Sequence, residues 1–148
     1  MSTQLSPHWT LEEMIESEKA VELGIDNTPP PDIVDNLRVL CNNTLEPVRA
    51  FLGVPMLTSS GFRCLALNSA LPGSSPTSDH MKGWCLDFEA PAYGTPLVIV
   101  KAIAASNLKW DQLIQEGTWV HISGAPAMRR EVLTKTIVNG QLKYTEGV

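Results

Sequence analysis

Two histidines and one aspartate of this chain have side chains of the types that bind a transition metal. His80 and Asp87 belong to the segment SDHMKGWCLDFEA, and His121 follows in TWVHIS. Asp87 lies between Leu86 and Phe88 in a stretch typical of a buried strand, where an unpaired carboxylate is costly. Neutral imidazole and carboxylate are zinc ligands, and three protein ligands leave a fourth position open for chemistry. A bound zinc ion would supply the positive charge that Asp87 needs.

The spacing alone leaves a second interpretation open. A histidine and an aspartate seven positions apart are more often a structural hydrogen bond than a metal site. A metal site requires the strand of Asp87 to neighbour the strand of His121 in one sheet, with His80 in the loop before the first strand. We expect Gly83 to allow the tight turn between His80 and Asp87, because glycine adopts backbone conformations closed to other residues.

Predicted helices collect in the first half of the chain and predicted strands in the second. Thr10 caps a helix expected to continue to about Leu23. Apolar residues recur with helical spacing over residues 32–52, which predicts a second helix that Pro47 should kink or interrupt. Shorter helices are predicted in RCLALNSAL and after Thr95. Strands are predicted in VPMLTSS, GWCLDFEA, KWDQLIQEG, TWVHISG and the hairpin TKTIVNGQLKY. This order predicts an α+β fold, with N-terminal helices packed on a small antiparallel β-sheet that carries the zinc site.

Length and charge limit the classes of function. A chain of 148 residues predicts one domain, with a helical part of about 1–53 and a sheet part of about 54–148. The net charge of −5 and scattered basic residues give no basis for binding nucleic acid or an anionic membrane. Three widely spaced cysteines are expected to be free thiols. No signal peptide or membrane span is expected, so we expect a protein made in the cytoplasm. We also expect a monomer.

Three motifs occur in a fixed order along the chain. They are SGFR at 60–63, SDHMKGWCLD at 78–87 and WVH at 119–121. They resemble the patterns S-G-[YF]-R, S-x-H-x-x-G-x-[AC]-x-D and W-x-H of the zinc D-alanyl-D-alanine carboxypeptidase family of peptidoglycan peptidases. That family includes many bacteriophage endolysins and shares its metal site with hedgehog domains. The N-terminal segments also resemble its small single-domain members, so the resemblance covers all but about the last fifteen residues.

The resemblance implies one zinc ion bound by His80, Asp87 and His121. It also implies hydrolysis of amide bonds next to D-amino acids in peptidoglycan stem peptides, by a phage endolysin or a related lytic enzyme acting on the bacterial cell wall. D-Ala-D-Ala carboxypeptidase, L-Ala-D-Glu endopeptidase and cross-link endopeptidase activities stay open, as does phage or bacterial origin. The alternative is a non-catalytic, zinc-bearing binding module of the same fold.

Glu116 is the candidate general base, five positions before His121. A carboxylate there would take the proton of the attacking water and pass it to the leaving amine. Strict strand alternation places Glu116 and His121 on opposite faces, so we expect the turn at Gly117 to re-aim Glu116. The alternative is a solvated turn residue, and Asp111 and Glu89 are the other candidate bases.

Arg63 and Ser78 fall on the family's motifs, and Trp119 precedes the last histidine. The resemblance implies that Arg63 contacts substrate or the developing oxyanion, a role suited to a guanidinium; a surface ion pair is the alternative. Ser78 would bind substrate or orient the metal loop, or only cap that loop, and Trp119 would line the pocket. Cys85 stands where the family usually has alanine, on the same side of the strand as Asp87. We discount it as a ligand, because a fourth ligand would close the open position.

Overall fold

A computed structural model describes residues 2–148 and confirms the predicted α+β class. Its helices are α1 (Leu11–Ile15), α2 (Glu18–Leu23), α3 (Pro31–Leu40), α4 (Glu46–Leu52), α5 (Leu65–Ala70) and α6 (Pro96–Ala104), with a π-helical turn at Cys41–Leu45 and a 3₁₀ turn at Asp79–Lys82. Its strands are β1 (Gln4–Ser6), β2 (Trp9–Thr10), β3 (Leu57–Ser60), β4 (Cys85–Glu89), β5 (Gln112–Gln115), β6 (Val120–Ser123), β7 (Glu131–Val138) and β8 (Gln141–Glu146).

The first predicted helix is two helices. Thr10 caps α1 as expected, by accepting a hydrogen bond from Glu13 N–H, but the backbone of Glu16 is extended. Ser17 then caps α2 through a hydrogen bond from Ala20 N–H. A continuous helix from residue 10 to 23 was therefore a wrong prediction, because Ser17 competes as a local cap inside the helical period.

The second predicted helix is interrupted just before Pro47. α3 passes into the π-helical turn, in which the N–H of Glu46 bonds to the carbonyl of Cys41, and then into α4. Pro47 lies in the first turn of α4, where a missing N–H is tolerated. The prediction of an interruption at Pro47 is confirmed, and the π-helical turn is how the chain accommodates it.

The main sheet has six strands in the order β3-β4-β6-β5-β7-β8. Its pairs are antiparallel except that β7 runs parallel to β5. Gln112 at the start of β5 pairs with both Ser123, at the end of β6, and Glu131, at the start of β7. A short loop from β6 therefore enters β7 at the end where β5 begins, which makes those two strands parallel. The sheet is mixed, so the prediction of an antiparallel sheet was wrong in this one pair.

The helices cover one face of the central strands. Fully buried side chains from α3, α4 and α6 join those of β4, β5 and β6 in one hydrophobic cluster. Its members include Leu37, Leu40, Val48, Ile99, Ile103, Leu86, Phe88, Leu113, Val120 and Ile122. This core fixes β4, β5 and β6 relative to one another, and these are the strands that carry most of the predicted site.

The three cysteines are free, and two of them are buried. Burial raises the pKa of Cys41 to about 12, with the charge of Glu46 adding to the effect. Among residues 2–148, the helices are all too short or too polar to cross a membrane.

Candidate metal centre

The pairing of β4 with β6 sets Asp87 and His121 side by side. They are direct partners in the antiparallel register, with Asp87 Oδ1 2.9 Å from His121 Nδ1. His80 approaches from the 3₁₀ turn, with its Nε2 3.3 Å from Asp87 Oδ2. The three side chains converge on one face of the sheet, as expected.

Hydrogen bonds to the SGFR motif fix His80. Its Nδ1 lies 2.6 Å from the carbonyl oxygen of Gly61, and its own carbonyl accepts a bond from Arg63 N–H. The Nδ1 contact leaves Nε2 directed at Asp87. A backbone carbonyl on the second ring nitrogen is the usual partner of a metal-binding histidine. Gly83 ends the turn at φ +76°, where an added Cβ would also crowd Ile33 at 3.1 Å, which confirms the expected role of this glycine.

The pKa values of Asp87 and His121 are shifted by their neighbours in the cluster. Burial alone would raise the pKa of Asp87, but His80 and His121 together hold it well below the usual range of a carboxyl group. Burial acts to lower the pKa of His121, yet the hydrogen bond and charge of Asp87 raise it overall. Asp87 is therefore an anion in a nearly closed environment, which is the electrostatic condition for holding a cation.

The types of the donor atoms, and their proximity, suit a zinc ion. Donor atoms around tetrahedral zinc, with bonds of about 2 Å, lie roughly 3.3 Å apart. Asp87 makes its two contacts with different oxygens: Oδ2 lies 3.3 Å from His80 Nε2, which equals that separation, and Oδ1 lies 2.9 Å from His121 Nδ1, which is shorter. Two imidazoles and one carboxylate also match the donor types of catalytic zinc sites.

Cys85 is a fourth donor in the same cluster. Its sulfur and one nitrogen each of His80 and His121 all lie within 4.8 Å of one another. The alternation of β4 places this thiol on the face that carries Asp87, as the sequence indicated. Burial raises the pKa of the Cys85 thiol well above its usual range, and the charge of Asp87 adds to this. Cys85, which the sequence analysis discounted as a ligand, is therefore close to both imidazoles.

Glu116 faces the same cleft as His121. Ile114 pairs with His121 in the β5–β6 register, and the N–H of Glu116 bonds to the carbonyl of Trp119. Because Glu116 is two residues beyond Ile114, the alternation of β5, continued one residue past its end, places Glu116 on the face of His121. The turn at Gly117, where φ is +93°, therefore brings Glu116 to the face of His121, as expected.

The carboxylate of Glu116 is nearly buried and has two polar neighbours. Lys135 Nζ lies 3.5 Å from Glu116 Oε2, and the hydroxyl of Tyr144 donates to the same oxygen at 3.4 Å. The ammonium of Lys135 also lies 4.3 Å from the centre of the Trp119 ring. Burial raises the pKa of Tyr144 to about 12, and the charge of Glu116 contributes to the rise.

The other two candidate bases lie elsewhere. Both oxygens of Asp111 are bound by Arg129, at 2.9 Å each. Glu89 is exposed and lines a separate shallow pocket near α6. Of the three carboxylates proposed as the base, Glu116 is the one in the cleft with His121.

The cleft around the cluster has a volume of about 660 Å³. Arg63 and Ser78 form part of its wall, and a nitrogen of the Arg63 guanidinium donates to Ser78 Oγ at 3.3 Å. Arg63 Nε is buried and has no partner among the described residues. Ser78 also accepts a bond from His80 N–H, so it links the metal loop to Arg63. Trp119 lines the same cleft.

A model of the family described as peptidase M15 matches residues 7–123. The chain belongs to the peptidase M15 family. This confirms the resemblance to the zinc D-alanyl-D-alanine carboxypeptidases, and it identifies the protein as a peptidase with a peptide substrate. No curated protein matches the chain. The match includes His80, Asp87, Glu116 and His121, and it ends at the last residue of β6.

Three residues that shape this M15 site were absent from the sequence analysis. Lys135 and Tyr144 lie on β7 and β8, beyond the matched region, and reach the cleft only through the pairing of β5 with β7. Asn27 is buried beneath the SGFR motif, donates to the carbonyl of Phe62 and accepts from Cys64 N–H. The surrounding segment, DNTPPP, indicated only a stiff connection between two helices.

Proposed function

We propose that this M15 peptidase is a zinc enzyme that hydrolyses amide bonds next to D-amino acids in peptidoglycan stem peptides. We assign it, as one catalytic domain over residues 1–148, to the lytic enzymes of endolysin type. The observation that carries the proposal is one cleft holding His80, Asp87 and His121 together with the carboxylate of Glu116.

We propose His80 Nε2, Asp87 and His121 Nδ1 as the zinc ligands. The contact between His80 Nδ1 and the Gly61 carbonyl, 2.6 Å long, supports the choice of Nε2. Asp87 is preferred to Cys85 because its carboxylate already contacts both imidazoles and is held as an anion. When bound, zinc supplies a Lewis acid that polarises a carbonyl and acidifies water.

Glu116 serves as the general base and then as the general acid. Its carboxylate removes a proton from the water that attacks the scissile carbonyl carbon, and it returns that proton to the nitrogen of the leaving amine as the C–N bond breaks. The cleft gives this carboxylate a nearly buried setting in which Oε1 accepts no hydrogen bond from residues 2–148.

Arg63 stabilises the negative charge that develops on the carbonyl oxygen. Burial lowers the pKa of this guanidinium, although the charge of Asp87 counteracts that effect, and arginine stays protonated in proteins. The Arg63 side chain lines the cleft, so its guanidinium can donate to a substrate oxygen there. Ser78 orients the guanidinium through its hydroxyl.

Digestion of purified bacterial cell walls tests the proposal. We expect wall fragments with new free amino groups, loss of activity on chelation, and its return on addition of zinc. Mass spectrometry of the released peptides identifies the bond. A folded, zinc-loaded protein that releases no fragments from any wall chemotype would favour the alternative, a non-catalytic binding module.

A further inference from the structure

The β7–β8 hairpin lies outside the M15 match yet borders the cleft. The match ends at residue 123, whereas the hairpin begins at Glu131. Residues of both hairpin strands, among them Leu133, Lys135 and Tyr144, line the cleft that contains the metal-ligand candidates. The hairpin therefore forms one wall of the cleft, and this wall lies outside the region that the family match covers.

Strand register places Lys135 and Tyr144 beside Glu116. The last pair between β5 and β7 joins Gln115 to Thr134, so the next residue along each strand is Glu116 and Lys135. Lys135 is in turn the direct partner of Tyr144 across β7 and β8. These three side chains thus form one row across three adjacent strands, on the face that carries His121.

We propose that the β7–β8 hairpin is part of the active site and that Lys135 and Tyr144 are positioning residues for the Glu116 carboxylate. Both contact one oxygen of Glu116, Oε2, at 3.5 and 3.4 Å. No hydrogen bond within residues 2–148 engages Oε1. Held in this way, the carboxylate presents Oε1 for proton transfer. The inference rests on the proposed function of Glu116 as the base.

Charge and exposure agree with a positioning role. The side chain of Glu116 is 9% exposed, and a carboxylate so buried needs a compensating cation, which Lys135 supplies. The ring of Trp119 also contacts the ammonium of Lys135, with its centre 4.3 Å away, and restricts its position. With its raised pKa, Tyr144 keeps its proton at neutral pH and donates it to Glu116 in a hydrogen bond.

A double-mutant cycle tests the proposal in the full-length, zinc-loaded protein. The variants are Lys135→Met, Tyr144→Phe and Glu116→Gln, alone and with each hairpin change in the Glu116→Gln background. The readouts are the maximal rate of wall hydrolysis, the half-saturating wall concentration and the zinc content. Lys135→Arg tests rescue by a retained charge. Lys143→Met is the matched control, because Lys143 is exposed and next to Tyr144 on the opposite face of β8.

We expect Lys135→Met to lower the maximal rate by roughly 10- to 100-fold, as misplacement of a catalytic group does, with the half-saturating concentration and zinc content unchanged. Tyr144→Phe should have a smaller effect, Lys135→Arg should restore much of the rate, and Lys143→Met should have none. In the Glu116→Gln background neither hairpin change should slow the reaction further, because the residue they position is gone.

Equal losses in both backgrounds would overturn the proposal, since Lys135 and Tyr144 would then act independently of Glu116. A raised half-saturating concentration with an unchanged maximal rate would also overturn it, in favour of direct substrate binding. If Glu116→Gln alone keeps the full rate, the assignment of the base is wrong. That failure is seen in the single variant and is distinct from a failure of the hairpin inference.

Discussion

Asp87 and His121 are direct partners across β4 and β6, with Oδ1 of the first 2.9 Å from Nδ1 of the second. Neither residue can move away from the other without breaking the register of the two central strands, whose neighbours Leu86, Phe88, Val120 and Ile122 are fully buried. The hydrophobic core thus holds two of the proposed ligands in place before any metal binds. This preorganisation is the physical basis for the predictions below.

Replacing Asp87 by asparagine should weaken zinc binding sharply. The change keeps the shape of the side chain but removes the negative charge and one ligand oxygen. The affinity should fall by more than the roughly 10- to 100-fold that loss of an outer-shell partner causes. Competition with a chromophoric chelator measures it. Glu89→Gln, an exposed change of the same charge on the same strand, is the control, and equal affinities in the two variants would exclude Asp87 as a ligand.

Replacing Glu116 by glutamine should abolish most of the catalysis and leave the metal bound. Loss of a general acid–base group lowers the rate by about 10²- to 10⁴-fold. The maximal rate of wall hydrolysis and the zinc content of the same sample are the two measurements. An active Glu116→Gln enzyme would remove this residue from the mechanism, whereas loss of zinc would mean that Glu116 supports the metal site instead.

Replacing Cys85 by alanine should leave zinc affinity unchanged. The thiol is close to both imidazoles, but the carboxylate of Asp87 already contacts both of them, and a fourth protein ligand would close the position left open for water. Removal of the buried sulfur should lower the free energy of unfolding by about 1 kcal/mol. Cys41→Ala, at a buried thiol of the helical core, is the matched control. A loss of affinity at Cys85 that is absent at Cys41 would reveal a thiolate ligand.

The pair of Asp111 and Arg129 should make stability sensitive to acid. The hydrogen bonds from Arg129 lower the pKa of Asp111 in the folded protein, so the folded state favours the carboxylate. The resulting stability is present above the unfolded pKa, near 4, and is lost as the pH falls through the lower folded value. Arg129→Met should reduce the free energy of unfolding at pH 7 by about 1 kcal/mol, since Arg129 is half exposed.

Urea unfolding at pH 7 and at acid pH measures this contribution. The difference between Arg129→Met and the unaltered protein should shrink at the lower pH, as Asp111 becomes protonated in both. A difference that is the same at both values would show that Arg129 stabilises the fold without its charge. Lys143→Met, at an exposed lysine of β8, controls for the change in net charge.

Local sequence signals were sufficient to predict the candidate ligands and the turns near them. The convergence of His80, Asp87 and His121 depends on one pairing, β4 with β6, which the sequence analysis stated as the condition for a metal site. The turn at Gly83 and the hairpin at Asn139-Gly140, where both residues have positive φ, were also predicted from residue type.

The remaining parts depend on register and on non-local pairing. The side of the sheet on which Glu116 lies is decided by the length of the turn between β5 and β6, and a miscount of one position inverts the answer. Lys135 reaches Glu116 only because β7 pairs in parallel with β5, a pairing that no local pattern encodes. Asn27 acts through hydrogen bonds to backbone far along the chain, which a motif search does not detect.

X-ray absorption spectroscopy at the zinc edge of the zinc-loaded protein tests the central claim most directly. If His80, Asp87 and His121 bind the ion, the first shell contains only nitrogen and oxygen at about 2.0–2.2 Å, with imidazole scattering beyond it. A sulfur neighbour at about 2.3 Å would contradict the proposed ligand set and replace Asp87 with Cys85 or add Cys85 to it. A folded protein that takes up no zinc at all would contradict the metal centre itself.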